Sequence, residues 1–192
     1  NQIIYYRIGF KAGDYLANAA TITLSYPLGS ITGVARITAY TSSTVVSASI
    51  IAPLGSLVAT LDWAEGEWSD YRGFPSAVAL HGGRLWWAGK DKQWGSISDA
   101  YSSFDDAEEG DSGPILRSIG TGPVDKIRWL LSAENLMMGG QGAEFTVRAS
   151  QLDEPLTPTN YNLKAYTRRG SGSLAGVVVD SNVLFVDRSE RR

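Results

Sequence analysis

Few residues in this chain are of types that carry chemistry, and their spacing narrows the choices. The one histidine, His81, stands in His81-Gly82-Gly83. A Ser-His-Asp triad would have to use it, because imidazole is the usual base for a serine nucleophile. The stretch reads instead as a hairpin turn, a place where no partner serine or acid is expected to converge. Five carboxylates fall in the seven positions from Asp105 to Asp111, within "FDDAEEGDSG". Calcium wants several carboxylate oxygens on a tight turn. The order here is not D-x-D-x-D-G with a closing glutamate, so a solvated connection between repeats is expected. Paired carboxylates also serve glycosidases, but no pair is singled out, and "DSGPILR" at Asp111 lacks the closing Trp of the S-x-D-x-G-x-x-W turn of sialidase-type propellers. The glycine-rich "GGQG" (139–142) and "GTGPVDK" (Gly120 to Lys126) are not G-x-x-x-x-G-K-[ST], and their glycines suit turns that need positive φ. The expectation is therefore no catalytic residue, no cofactor and no metal site: a protein that is not an enzyme.

The remaining chemistry is aromatic. Trp86, Trp87 and Trp94 lie within nine residues of "RLWWAGKDKQWG". Such a cluster either stacks on a ligand or fills an interior. On a strand covered on both faces, near-continuous apolar runs are the rule, and Trp86 and Trp87 are accordingly expected to be packing residues.

Those residues need elements to position them, and composition bounds the kind. The chain has 192 residues, 43% of them hydrophobic and 19% charged, with 21 glycines and no cysteine. That fits one ample domain or two small ones and excludes disulfides, thiolate zinc sites and cysteine nucleophiles. The abundance of Thr, Val, Tyr and Gly favours strands and turns, so the fold class is expected to be all-β. A net charge of −3 and a pI near 5.2 offer no basic field for phosphates. Apolar runs fall far short of the ~18–20 residues that cross a bilayer. The start "NQIIYYRIGF" has neither an initiating Met nor the order of a signal peptide, which reads as an internal piece of a longer protein.

Along the chain, β-like runs "IIYYRIGF", "ATITLSY", "GVARITAY", "TVVSASII" and "SLVATLDW" alternate with the turns "KAGDY", "YPLGS", "YTSST" and "APLGS". Val34, Ile37 and Ala39, then Val45, Ser47 and Ser49, trade faces with their neighbours. Residues 1–62 are expected to form a small β-sandwich or barrel of about five strands. "WAEGEWSDYRGFP", 63–75, reads as a linker. Residues 76–192 then repeat a strand-turn-strand-turn-strand unit. The first copy runs from Ala77 to Ser98, the second from Lys126 to Arg148, and the third begins at Gly176 and is incomplete. Aligned middle strands place Leu85, Leu136 and Val183 in register, at spacings of 136 − 85 = 51 and 183 − 136 = 47. A period near 50 points to propeller-like blades, of which about four or more are needed for closure. The loop Asp153 to Lys164, stiffened by Pro155 and Pro158 and carrying Asp153, Thr157, Thr159 and Asn160, suits either a contact with a neighbouring subunit or domain or a connection between blades.

The ordered series "WAEGEWSDYRGFPSAVALHGGRLWWAGKDKQWGSISDAYSSFDD", "TGPVDKIRWLL", "GAEFTV", "DEPLTPTN" and "NVLFVDRS" resembles the nozzle, or tail tubular, proteins of short-tailed bacteriophages and related prophages. "ITGVARITAYTSSTVVSASII" is similar to the small β-domain that precedes this region in that family. The resemblance covers nearly the whole chain. It implies a structural virion protein, made in the bacterial cytoplasm, that assembles with itself as a hexameric ring and with other tail proteins. Double-stranded DNA would pass through without specific binding, since phosphate contacts by Lys and Arg make release slow. It implies no catalytic residues. A different class remains open: a carbohydrate-binding propeller at a virion tip or cell surface, with Trp68, Trp87 or Trp94 stacked on sugar rings.

Overall fold

A computed structural model of the chain describes residues 21–25, 32–42, 44–56, 60–70, 72–106, 108–120, 126–151 and 154–189. Every regular element among them is a β-strand and every pairing is antiparallel, so the fold is all-β as composition indicated. Among the described residues, no helix is long and apolar enough to cross a membrane. The chain divides into two compact units, Asn1–Phe74 and Pro75–Arg192.

In the first unit, β1 (Thr21–Ser25), β2 (Thr32–Ser42), β3 (Val45–Ala52) and β4 (Trp63–Glu65) form one sheet in the order β3-β2-β1-β4. Ile22 opposes Ala35, and these two with Ile37 are buried on one face. Ala39, which simple alternation would place with Ile37, is exposed. The register of β2 against β3 slips between Ile37 and Ala39, and an extra residue on one strand turns the following side chains to the other face. The described residues of this unit make a single sheet, so the second layer of the expected sandwich or barrel is not among them. The run "IIYYRIGF", the turns "KAGDY" and "YPLGS", and residues 57–59 of "SLVATLDW" lie outside the described residues.

The stretch read as a linker, 63–75, carries β4, whose Trp63, Ala64 and Glu65 oppose Leu24, Thr23 and Ile22 of β1. The first sheet therefore extends past residue 62. Beyond β4, the Arg72 guanidinium donates to Glu65 Oε2 at 2.8 Å and the Arg72 amide to Ser69 Oγ at 3.0 Å, which closes a tight turn ahead of the unit boundary.

The second unit holds two successive four-stranded meanders. β5 (Ala77–His81), β6 (Arg84–Gly89), β7 (Lys92–Gly95) and β8 (Ile115–Ser118) make the first. β9 (Ile127–Ser132), β10 (Leu136–Gly140), β11 (Glu144–Arg148) and β12 (Asn162–Thr167) make the second. β13 (Val177–Val179) and β14 (Asn182–Leu184) add a hairpin. The sequence repeat corresponds to the first three strands of each meander. Its fourth strands were hidden, β8 in "DSGPILR" and β12 in "NYNLK". The acidic segment is thus not a connection between sheets but the β7–β8 loop of one sheet, and the proline loop holds the same place between β11 and β12.

Gly82 and Gly83 have φ of 57° and 71°, the two positive values that a two-residue hairpin turn demands. Pairing corrects the alignment of the repeats. Arg84 opposes His81 across a two-residue turn, Leu136 opposes Ser132 across a three-residue turn, and Asn182 opposes Val179. Hairpin ends are therefore spaced by 136 − 84 = 52 and 182 − 136 = 46, one residue away from the alignment on Leu85 and Val183. Leu136 is fully buried while Leu85 is half-buried, as a one-residue slip on a strand requires.

Trp86, Ala88 and Ile115 of the first meander share one core with Leu130, Leu136, Met138, Phe145 and Val147 of the second. β5 and β6 pack against β9. Full burial of a Leu, Ile or Met stabilises by about 1.5–3 kcal/mol relative to exposure. That shared core, rather than either ladder alone, holds the two sheets together.

Candidate functional site

The tryptophans divide between two faces of the first meander. Trp86 is fully buried, and its indole Nε1 donates to the His81 carbonyl at 3.1 Å. It lies over Gly95, its cross-strand partner, where a Cβ would come within 3.0 Å of the ring. Trp129 repeats the arrangement over Gly139, where a Cβ would fall 2.0 Å from Cε2. Its other neighbour is Phe185, with centroids 5.9 Å apart. Both are packing residues, seated where glycine leaves room on the adjacent strand.

Trp87 points the other way. Pairing lines up Val78, Trp87, Trp94 and Leu116 across all four strands, on the face opposite Trp86. Val78 and Leu116, at the two ends of the row, are 49% and 45% exposed, and the two indoles between them are half-buried. Leu80, in the next row, is 60% exposed. Trp87, expected as packing, thus belongs to a part-open apolar face, and Trp94 is its cross-strand neighbour. Trp68, the third residue considered for sugar stacking, is half-buried in the first unit. Val78 and Leu116 escaped sequence reading because their importance lies only in register with the tryptophans. Such a row offers a flat aromatic ribbon, suited to a neighbouring sheet or to a sugar face.

The turn histidine is not alone. His81 Nδ1 lies 2.9 Å from Ser132 Oγ, so a serine does converge on it, from the equivalent hairpin end of the second meander. Burial lowers the His81 pKa below 6.5 and favours the neutral ring. Beside it lies a cleft of about 330 Å³, lined by His81, Glu134, Arg148, Glu154, Val147 and Leu156 among others. In a hydrolytic triad the serine meets Nε2 while an acid holds Nδ1. Here the serine occupies Nδ1, and the Glu154 carboxylate accepts from Asn160 Nδ2 at 2.6 Å. The contact is a tie between two sheets.

The acidic loop is organised by a buried cation from below. Arg84 is 2% exposed, and its guanidinium donates to the carbonyls of Ser96 and Gly113 at 2.6 Å, Asp111 at 2.6 Å and Ser112 at 3.2 Å. Burial lowers its pKa, and the charge of Asp99 opposes that shift. The backbone oxygens of Asp111, Ser112 and Gly113 are therefore turned inward toward a guanidinium. Among the described residues, no group of three or more His, Asp or Glu side chains could hold a metal ion.

The proline loop leans on the first meander. Arg117 donates to the Pro158 carbonyl and sits 5.7 Å from the Tyr161 ring centroid; Thr159 Oγ1 donates to Asp111 Oδ1 at 3.3 Å. Gln93, fully buried, donates to the Tyr161 hydroxyl, and desolvation pushes that phenol well above its ordinary value against the opposing effects of Arg117 and Gln93. The loop joins two strands of one sheet rather than two blades, and besides its internal hydrogen bonds it reaches the first meander. Asp153 and residues 121–125 of "GTGPVDK" lie outside the described residues. Glu144, missed in the sequence, is fully buried and accepts from Thr167 and from Ser171, the latter at 2.7 Å.

The chain matches no family model and no curated protein.

Proposed function

We propose that this chain is a structural subunit of a bacteriophage tail. Its repeats stack as propeller-type blades, and its copies form part of a ring around the DNA channel. One observation carries the reading. Two consecutive meanders share a core through their facing sides, while apolar surface stays open at both ends of the stack. The Val78-Trp87-Trp94-Leu116 row is part-open on the first sheet, and Val177, Val178, Val179 and Leu184 are 42–55% exposed on the third. A stack of that kind is completed by neighbours. The chemistry fits an interface protein in the virion: buried polar groups tie sheet to sheet, and a net charge of −3 suits a conduit that does not grip DNA.

The part-open Trp87 and Trp94 favour one other reading, a carbohydrate-binding surface. Light scattering coupled to size exclusion separates the two. A ring of about six copies that falls apart in Trp94→Ala supports the tail role. A monomer at every concentration, whose glycan-array signal disappears in the same variant, overturns it.

A further inference from the structure

The first unit carries an edge with unusual properties. β3 is terminal in the order β3-β2-β1-β4, with β2 on one side and no strand among the described residues on the other. Edge strands are normally blunted by charge, proline or brevity. β3 is eight residues long, and from Ile37 to Leu61 the sequence has no Asp, Glu, Lys or Arg at all. From Tyr15 to Leu61 the single charge is Arg36, in a chain that is 19% charged. Ser47, Ala48, Ser49, Ile50 and Ile51 are exposed, with Ile50 at 40% and Ile51 at 52%, and the nearby Tyr40 at 60%. An uncharged, β-branched, open edge is a template for another strand.

The order of residues says which strand. Val46-Ser47-Ala48-Ser49-Ile50 reads nearly the same in both directions about Ala48. Set antiparallel to itself, it places Val46 opposite Ile50, Ser47 opposite Ser49 and Ala48 opposite Ala48. Alternation sends Val46, Ala48 and Ile50 to one face and Ser47 and Ser49 to the other. One face of the seam then carries β-branched pairs and the other hydroxyl pairs, both favourable cross-strand combinations, with no like charges opposed. Of the three register slips between β2 and β3, the two opposite Ala48/Ser47 and Val46/Val45 place the extra residue on β2, and the one extra residue on β3 is Ile51, outside these five residues.

We infer that β3 pairs antiparallel with β3 of a second copy of this chain across a two-fold axis at Ala48, joining two four-stranded sheets into one of eight. The contact is isologous, whereas a closed ring of identical subunits uses two different surfaces, so the two interfaces are independent. The inference does not rest on the tail reading.

The test uses the full chain. Ala48→Lys and Ala48→Glu each set like charges directly opposite one another at the two-fold. Each is expected to halve the particle mass by light scattering, from two chains to one or from a double ring to a single one, with unchanged circular dichroism. Mixing the two variants in equal amounts is expected to restore the wild-type mass, because Lys then faces Glu. The chain has no cysteine, so Ala48→Cys is expected to form an interchain disulfide at least 10-fold faster than Ser49→Cys, whose partner across the seam is Ser47. Three outcomes each overturn the inference: a wild-type mass that neither charge alters, a mass that the mixture fails to restore, or equal crosslinking at the two positions. Should residues 1–20 of the same chain cover β3 instead, the wild-type mass is insensitive to Ala48→Lys, which is the first of these.

Discussion

Replacing Arg84 by Met keeps the length of the side chain and removes its charge and donors. The guanidinium serves four backbone carbonyls, but their fates differ once it is gone. Asp111 and Ser112 are exposed, so their oxygens recover water; Ser96 and Gly113 are buried, and theirs are left dry. Each buried acceptor stranded in this way costs about 1–3 kcal/mol. Some of that is returned, because the arginine's own desolvation, evident in its lowered pKa, no longer opposes folding. The net loss is about 2–4 kcal/mol. With an m-value of about 2 kcal/mol/M, the urea midpoint of the second unit falls by about 1–2 M. Tryptophan fluorescence reads it, since Trp86, Trp87, Trp94 and Trp129 all belong to that unit. Arg84→Lys, with one ammonium in place of a fork, keeps part of the bonding and falls between wild type and Met. Protease cleavage between 105 and 113 should rise in the same order. A midpoint change below about 0.3 M for Arg84→Met would refute the assignment of Arg84 as organiser of the acidic loop.

Two further outcomes follow from the packing and from the tie between sheets. Gly139→Ala is expected to destabilise by about 3 kcal/mol and Gly95→Ala by about 1, because an added Cβ meets Trp129 at 2.0 Å but Trp86 at 3.0 Å, and Trp129 is backed by Phe185; equal urea midpoints for the two variants would contradict this. The folded His81 pKa lies below 6.5, so between that lower value and 6.5 the unfolded chain binds more protons, and stability that is complete above pH 6.5 is lost as pH falls through the window. As His81 is the one histidine, His81→Gln should flatten the midpoint-versus-pH curve as pH falls below 6.5, and an unchanged slope would remove the desolvated neutral ring from the account.

The strands legible in the sequence were those bounded by local turn chemistry. Gly82-Gly83 with two positive φ values marks β5 and β6, and the apolar runs "LWWAG" and "LMMGG" mark strands in the middle of their sheets. β8 and β12 were not legible, because each returns to its sheet only after a long loop, and Ile115-Leu-Arg-Ser118 and Asn162-Leu-Lys-Ala-Tyr-Thr167 carry the weak patterns of edge strands. Adjacent tryptophans must point to opposite faces of a strand, so one of Trp86 and Trp87 had to leave the core. Which one depends on register, and aligning the repeats misleads there because the turn is one residue longer in the second meander than in the first. Arg84 and Glu144 escaped altogether. Both are of types that usually remain in water, and the partners that draw them inward lie 12 to 29 residues away, too far for any local pattern to show.

The polar contacts between sheets have a consequence that their individual strengths do not suggest. The apolar core is non-directional and would tolerate a range of angles between the meanders. Ser76 to the Ile127 carbonyl, His81 to Ser132, Gln93 to Tyr161 and Thr159 to Asp111 are satisfied together at one relative placement of the two sheets. A displaced arrangement would strand part of that set away from water, at a cost greater than each bond contributes when made. The same device recurs at the next step, where Glu144 holds Ser171 and Trp129 faces Phe185. The β13–β14 hairpin is therefore fixed in direction by the second meander while Val177, Val178 and Val179 stay exposed. A surface oriented by buried polar groups yet left apolar outward is held in one direction relative to the second meander, so that whatever packs on it would be met at one angle.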